Sequence, residues 1–287
     1  MFCQLEMLRL CLRSGVRHFL HELPDSLDET YERILKEIHK TNRGYVQRLL
    51  QCLAVAIRPL RVEELAEILT ANLDADLKLE DQEQEFLSAC PSLITISDSD
   101  GSRVVQFSHF SVKEFLTSDR LATSREDTMQ CHIIPEAAHT TLARASFGVL
   151  LRLDDRIDKR KAKKIPLAEY AAEYWVSHTQ VGNVSSRIIG GMKTLFDSDK
   201  PHFSAWLRIY DIDRPFGSPS PGDTTPQPLY YSALCGFYDL AEHLAKNRSQ
   251  DINAIGGRHD YPLIAALHGG YIQVAEVLFE HGAKIDA

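Results

Sequence analysis

Leu93-Ile94-Thr95-Ile96-Ser97-Asp98-Ser99-Asp100-Gly101-Ser102-Arg103-Val104-Val105-Gln106-Phe107 is the stretch on which the fold turns. Two β-prone runs, Leu93 to Ile96 and Val104 to Phe107, flank a polar loop from Ser97 to Arg103, a pattern that predicts a hairpin. What precedes it reads as helix. Ser26-Leu27-Asp28-Glu29 is a capping-box pattern, and behind it Leu27, Tyr31, Ile34, Leu35 and Ile38 recur on one helical face. A second stripe, Val46, Leu49, Leu50, Leu53, Ala54 and Ile57, stops at Arg58-Pro59, because proline disfavours helical geometry in the residue before it. Val62, Leu65, Ile68 and Leu69 predict a short third helix. After the acidic stretch Asp74 to Glu85, Phe86, Leu87 and Cys90 predict another before Pro91.

Helices followed by a hairpin are the order of a winged-helix module, expected here over residues 41–125. The chain around it has 287 residues, with 32 Lys plus Arg against 40 Asp plus Glu and a net charge of −8. With 44% hydrophobic and 25% charged residues it is an ordinary globular composition, long enough for about two domains. The acidic balance argues against a general nucleic-acid binder, whose affinity comes from Lys and Arg displacing condensed cations. In the first half the longest charge-free apolar stretch, Leu49 to Ile57, has nine residues. A membrane-spanning helix needs about 20. Glu6 and Arg9 interrupt any secretory apolar core, so a cytoplasmic location is expected. Cysteines at 3, 11, 52, 90, 131 and 235 form no C-x-x-C pair and read as free thiols.

Downstream, residues 126–214 read as a helical connector. Candidates are Pro135 to Phe147, the face Leu167, Tyr170, Ala171, Tyr174, Trp175 and His178, the run Ile188 to Phe196, and a short helix with Phe203, Trp206 and Leu207. Pro215 to Pro228 holds five prolines and two glycines in fourteen residues, which predicts a linker at 215–225. Beyond it the sequence repeats. Pro228-Leu229-Tyr230-Tyr231-Ser232-Ala233-Leu234-Cys235-Gly236-Phe237 aligns with Pro262-Leu263-Ile264-Ala265-Ala266-Leu267-His268-Gly269-Gly270-Tyr271 at a shift of 34. Asp251 to Ala254 aligns with Lys284 to Ala287 at a shift of 33. Pro-Leu entering a short helix and Gly leaving it, at this period, resembles ankyrin repeats, two of them over 226–287. That resemblance implies a protein-binding face, with Tyr230, Tyr231, Arg258, His259 and Tyr261 as outward contact residues. The fold class expected is therefore mainly α, with one short β-hairpin.

The order of motifs also resembles fungal NACHT-type signalling NTPases. Leu23 to Leu35, Arg58 to Ala66, Phe107 to Leu116 and Tyr170 to His178 are similar to segments that follow the nucleotide-binding domain in that family, and Cys3 to Arg9 resembles its last helix. The resemblance makes residues 1–40 the final helices of a NACHT-type region. It implies an upstream NACHT domain in cis, ADP/ATP or GTP as the full-length ligand, and a switch coupled to a protein partner on the ankyrin face. It also implies that His109 contacts the β-phosphate of bound ADP, in a longer protein with an intact NACHT domain. This chain has no G-x-x-x-x-G-K-[ST], and no Gly is followed by Lys, so it is expected to hold no cofactor of its own and not to be an enzyme. Its start within a helix and its finish where a third repeat is due predict an exposed apolar face at the C-terminal end.

Two other readings remain open at the level of sequence. A winged helix raises DNA binding, and Lys159-Arg160-Lys161-Ala162-Lys163-Lys164 is a basic run, although Asp154, Asp155 and Asp158 sit beside it. A hydrolase would need a constellation. Ser108-His109 and Cys131-His132 supply polar pairs without a glycine-flanked nucleophile turn, and His132 and His139, seven apart, have too little company to bind metal.

Overall fold

The computed structural model describes residues 26–70, 84, 86–90, 92–99, 101–124, 126–214 and 227–284. The chain divides into two compact units, residues 1–142 and 143–287. The expected NACHT-type residues before 26, most of the acidic stretch at 74–85 and the 215–225 linker lie outside the described residues.

The first unit opens on α1 (Leu27–Glu37), where the Ser26 hydroxyl accepts from the Glu29 N–H at 3.2 Å. A cap of this kind contributes about 1 kcal/mol. Tyr31, Ile34 and Leu35 are buried on its inner face, as the period predicts. The second stripe forms α2 (Arg43–Val55), burying Val46, Leu49, Leu50, Cys52 and Ala54. Between it and α3 (Val62–Thr70) lies an element that periodicity does not reveal, the two-residue strand β1 (Leu60–Arg61). It is too short to show an alternation and exists because a partner strand receives it. Glu64 locks this corner. Its fully buried carboxylate accepts from both terminal nitrogens of Arg58 at 2.8 and 2.6 Å, from the Arg61 backbone N–H at 2.8 Å and from the Arg61 guanidinium at 2.9 Å. Such full satisfaction is what makes a buried acid tolerable.

A helical turn at 86–89 then buries Phe86 and Cys90. The hairpin follows as β2 (Ile94–Ser99) and β3 (Ser102–Phe107). Its loop is shorter than the seven residues expected: Ser97, Asp98 and Ser99 pair with Val104, Arg103 and Ser102. Gly101 takes a positive φ of +77°, open to glycine at little cost, and pairing runs through the polar residues as far as Ser99 and Ser102. β1 joins the other edge of β3, Leu60 opposite Val105, giving the antiparallel order β1-β3-β2. Helix, strand, helix, helical turn and hairpin in this order make a winged-helix domain. α4 (Phe110–Leu116), α5 (Asp119–Ala122) and α6 (Glu126–Met129) complete the unit. α1 packs on α4, with the Tyr31 and Phe115 rings 5.4 Å apart and the Tyr31 hydroxyl 2.7 Å from Ser111 Oγ.

The division at residue 142 falls within α7 (Pro135–Leu150), a turn longer than the candidate that ended at Phe147. In the second unit come α8 (Lys159–Ala162), α9 (Ala168–Thr179), α10 (Val184–Arg187), α11 (Ile189–Leu195) and α12 (His202–Ile209). The apolar run from Ile188 does not give a single helix with what precedes it, because Ile188 leaves helical geometry at φ −121°, ψ 12°. The repeats form two helical hairpins, α13 (Pro228–Leu234) with α14 (Tyr238–Asn247), and α15 (Pro262–His268) with α16 (Ile272–Glu280). Each opens on proline at the first helical turn, where the missing N–H costs nothing. Gly236 and Gly270, 34 apart, turn each hairpin at φ +73° and +72°. α13 packs on α15 and α14 on α16, so the two hairpins stack in register.

One aromatic core serves connector and repeats together. Trp175 and Trp206 are fully buried with centroids 5.2 Å apart, Trp206 lies 5.8 Å from Tyr231 on α13, and Trp175 lies 5.5 Å from Phe237. A repeat hairpin has two apolar sides to cover, and here α9 and α12 cover the first.

Candidate functional site

Three places bear on function: the loop that tips the second hairpin, the N-terminus of α4, and the basic run at α8. The loop between the 3-10 turn Ser249–Asp251 and α15 folds back on itself, with Gly256 N–H donating to Asp260 O at 2.7 Å. Gly257 stands at φ +79°, and a Cβ there would lie 2.3 Å from the Tyr230 ring. Only glycine fits. Beneath the loop sits Asp213, 5% exposed. One carboxylate oxygen accepts from the Tyr230 hydroxyl at 3.0 Å and the other from the Arg258 N–H at 2.7 Å, while the Tyr230 oxygen accepts from the His259 N–H at 3.2 Å. Next to it the Tyr231 hydroxyl donates to Asp211 at 2.7 Å.

Tyr230 and Tyr231 are therefore not outward contact residues; they are 1% and 0% exposed. Their rings fill the space under the stack, and their hydroxyls find carboxylates, buried Asp213 for Tyr230 and half-buried Asp211 for Tyr231, the arrangement a buried phenol requires. Burial first, then the neighbouring acids, push both phenol pKa values well above the ordinary range, so each stays a proton donor. Of the five expected contact residues, Arg258 is exposed, and His259 and Tyr261 are half-buried at the tip. The His259 ring lies 4.2 Å from that of His268, and burial together with that neighbour lowers its pKa. Asp211 and Asp213, which anchor the tip, carry no motif; the sole hint is an Asp-Ile-Asp spacing ahead of the prolines.

The first hairpin shows what the second lacks. Ala233 and Ala245 are buried, 0% and 1% exposed, under their neighbour. The residues 34 further on are Leu267 and Phe279, and these are 46% and 56% exposed. Large apolar side chains thus occupy, uncovered, the positions that small covered ones hold in the preceding repeat.

His109 caps α4. Its Nδ1 accepts from the Ser111 N–H at 3.2 Å, with Ser111 Oγ 2.7 Å away. With Nδ1 used as acceptor, the neutral ring carries its proton on Nε2, and the side chain is exposed. The polar pairs weighed for catalysis are not assembled. Ser108 Oγ donates to the Ser92 carbonyl at 2.7 Å. His132 precedes α7 and so shares no helical face with His139, which lines a cavity of about 310 Å³ with Ala54, Lys113 and Ile133; burial foremost, and Lys113, lower its pKa. Burial pushes the Cys52 thiol up to about 12 and raises Cys90, Cys131 and Cys235, so all four are protonated thiols at neutral pH. Among the described residues no group of three or more His, Cys, Asp or Glu is placed to hold a metal ion, and no helix is long and apolar enough to cross a membrane.

Comparison with known proteins gives one family match within the first unit and one relative aligned over most of the chain. Residues 31–126 match the family described as the winged helix domain of GPI inositol-deacylase. The chain is also 31% identical over 295 aligned positions to azaphilone pigments biosynthesis cluster protein L of Monascus ruber, covering 93% of this chain and 61% of that protein. The chain thus spans about three fifths of that relative's length. No solved structure matches.

Proposed function

We propose, for a chain whose winged-helix domain is of the GPI inositol-deacylase type, a non-catalytic role as the regulatory and protein-interaction segment of a longer signalling protein. In this reading the paired hairpins are ankyrin repeats, their tips and the exposed apolar face of the second hairpin receive a protein partner, and the winged helix abuts a NACHT-type switch domain in cis. The observation that carries it is the contrast between covered Ala233 and Ala245 and uncovered Leu267 and Phe279. Large apolar residues left exposed where the preceding repeat keeps small covered ones mark a binding surface.

A photo-crosslinking residue placed at Arg258 is expected to capture a protein in the native cell, and Leu267→Asp should abolish the adduct while leaving the melting curve in place. An adduct unchanged by Leu267→Asp, or one formed with nucleic acid, overturns the reading. The switch half rests on His109, whose outward Nε2–H is suited to a phosphate oxygen. In the longer protein, His109→Ala is expected to speed ADP release; unchanged ADP retention defeats that assignment.

The DNA-binding alternative has less support. No Lys or Arg occurs between Lys78 and Arg103, which spans the helical turn before the hairpin and most of the hairpin itself. Arg58 and Arg61 are committed to Glu64. Phosphate contacts that position a winged helix on a duplex thus lack their donors there. A hydrolase reading has still less, since the matched deacylase family is represented by its winged-helix domain alone.

A further inference from the structure

The surface around α8 concentrates cations in a chain that is acidic as a whole. Residues 152–164 hold seven Lys and Arg against three Asp, a local charge of +4 in a chain of −8. Arg152, Arg156, Lys159, Arg160, Lys161, Lys163 and Lys164 are all exposed, while Leu153, Ile157 and Ala162 are buried beneath them and fix the segment to the unit. Several cations elsewhere meet acids: Arg58 and Arg61 meet Glu64, Arg120 meets Asp28, Lys246 meets Glu242, and Arg248 meets Asp251. Among the described residues Arg156, Lys159, Arg160, Lys163 and Lys164 have no carboxylate at salt-bridge distance. Two of the three aspartates turn an oxygen toward the backbone while keeping their charge. Asp158 Oδ1 accepts from the Lys161 N–H at 2.8 Å as the cap of α8, and Asp154 Oδ1 accepts from the Arg156 N–H at 2.9 Å. That backbone bond, foremost, holds the Asp158 carboxyl below its usual pKa.

We propose that this surface is a docking site for a short acidic peptide segment of a partner protein. Guanidinium and ammonium groups without carboxylates are donors awaiting acceptors, and carboxylate side chains supply charge-assisted ones. The size of the patch sets the size of its ligand. A duplex carries one charge per about 1.7 Å and extends well beyond thirteen residues, into the field of an acidic chain whose repulsion reaches about 8 Å at physiological salt. A flexible acidic segment confines its charge to the patch. Residues 152–164 contain no Phe, Tyr or Trp, so there is no ring to stack a base or to sit at a lipid headgroup. The site lies apart in sequence from the hairpin tips and does not depend on the reading given to them.

Fluorescence anisotropy of a labelled peptide of about twelve glutamates, titrated with the full chain at about 20 mM and at 150 mM salt, tests the assignment. Binding is expected at low salt, weakening as salt rises. Combined Lys159→Glu, Arg160→Glu, Lys163→Glu and Lys164→Glu should lower affinity by at least about tenfold, and the matching glutamine variant should fall between. Circular dichroism reports whether each variant folds; if the reversal does not, the glutamine variant decides. No binding, equal binding by wild type and variants, or tighter binding of a random duplex or of phosphatidylserine vesicles overturns the proposal.

Discussion

Replacing Trp206 with alanine is expected to cost the second unit about 4 kcal/mol, the range for truncating a fully buried large aromatic. Trp206 is 0% exposed, with ring centroids 5.9 Å from Phe196, 5.9 Å from Phe203 and 5.8 Å from Tyr231, and its indole N–H donates to the Ala172 carbonyl at 2.9 Å. The substitution opens a cavity and removes the indole's bond to that helical carbonyl. Because the tryptophan touches both α9 and α13, the loss should reach the repeats. Urea unfolding gives the magnitude, and hydrogen exchange gives the extent: amides of α13 and α14 should lose protection along with those of α9 and α12. If the hairpin amides kept full protection while the connector opened, the repeats would be a separately folding module and the shared core only a contact.

Asp213→Ala should cost about 3 kcal/mol, since it strands a buried phenol proton and a backbone N–H at once. Tyr230 would still accept from His259 N–H but would have no acceptor for its own proton. The tip at 256–261, held from below by that carboxylate, should exchange its amides faster even where global stability suffices. Asp213→Asn keeps one acceptor oxygen and should lose about 1 kcal/mol. An exposed acid on the same unit, Asp239, serves as control: a loss in Asp213→Ala no larger than in Asp239→Ala would remove the anchor from the account.

Much of the architecture was legible from pattern. Ser26 and Glu29 announce α1, the Val46 to Ile57 stripe and Pro59 bound α2, and the self-alignment at a shift of 34 places all four repeat helices. These depend on neighbours in sequence, where period and local hydrogen bonding act. β1 was not legible, because two residues carry no period and its strand character is conferred by β3. The hairpin tip was read too long, since polar residues that look like loop can still pair when a glycine at positive φ lies at the tip.

The candidate contact residues divide along the same line. The sequence by itself determined a mainly helical chain, a hairpin after helices, two stacked repeats and a basic run in an acidic protein, because each is a local or periodic property. Only the tertiary structure decided that Tyr230 and Tyr231 face inward, that Asp211 and Asp213 receive them, and that Leu267 and Phe279 stand where Ala233 and Ala245 are covered. Which side of a helix is inside depends on what packs against it, and that partner lies 17 to 34 residues away in the chain, beyond the reach of any local period.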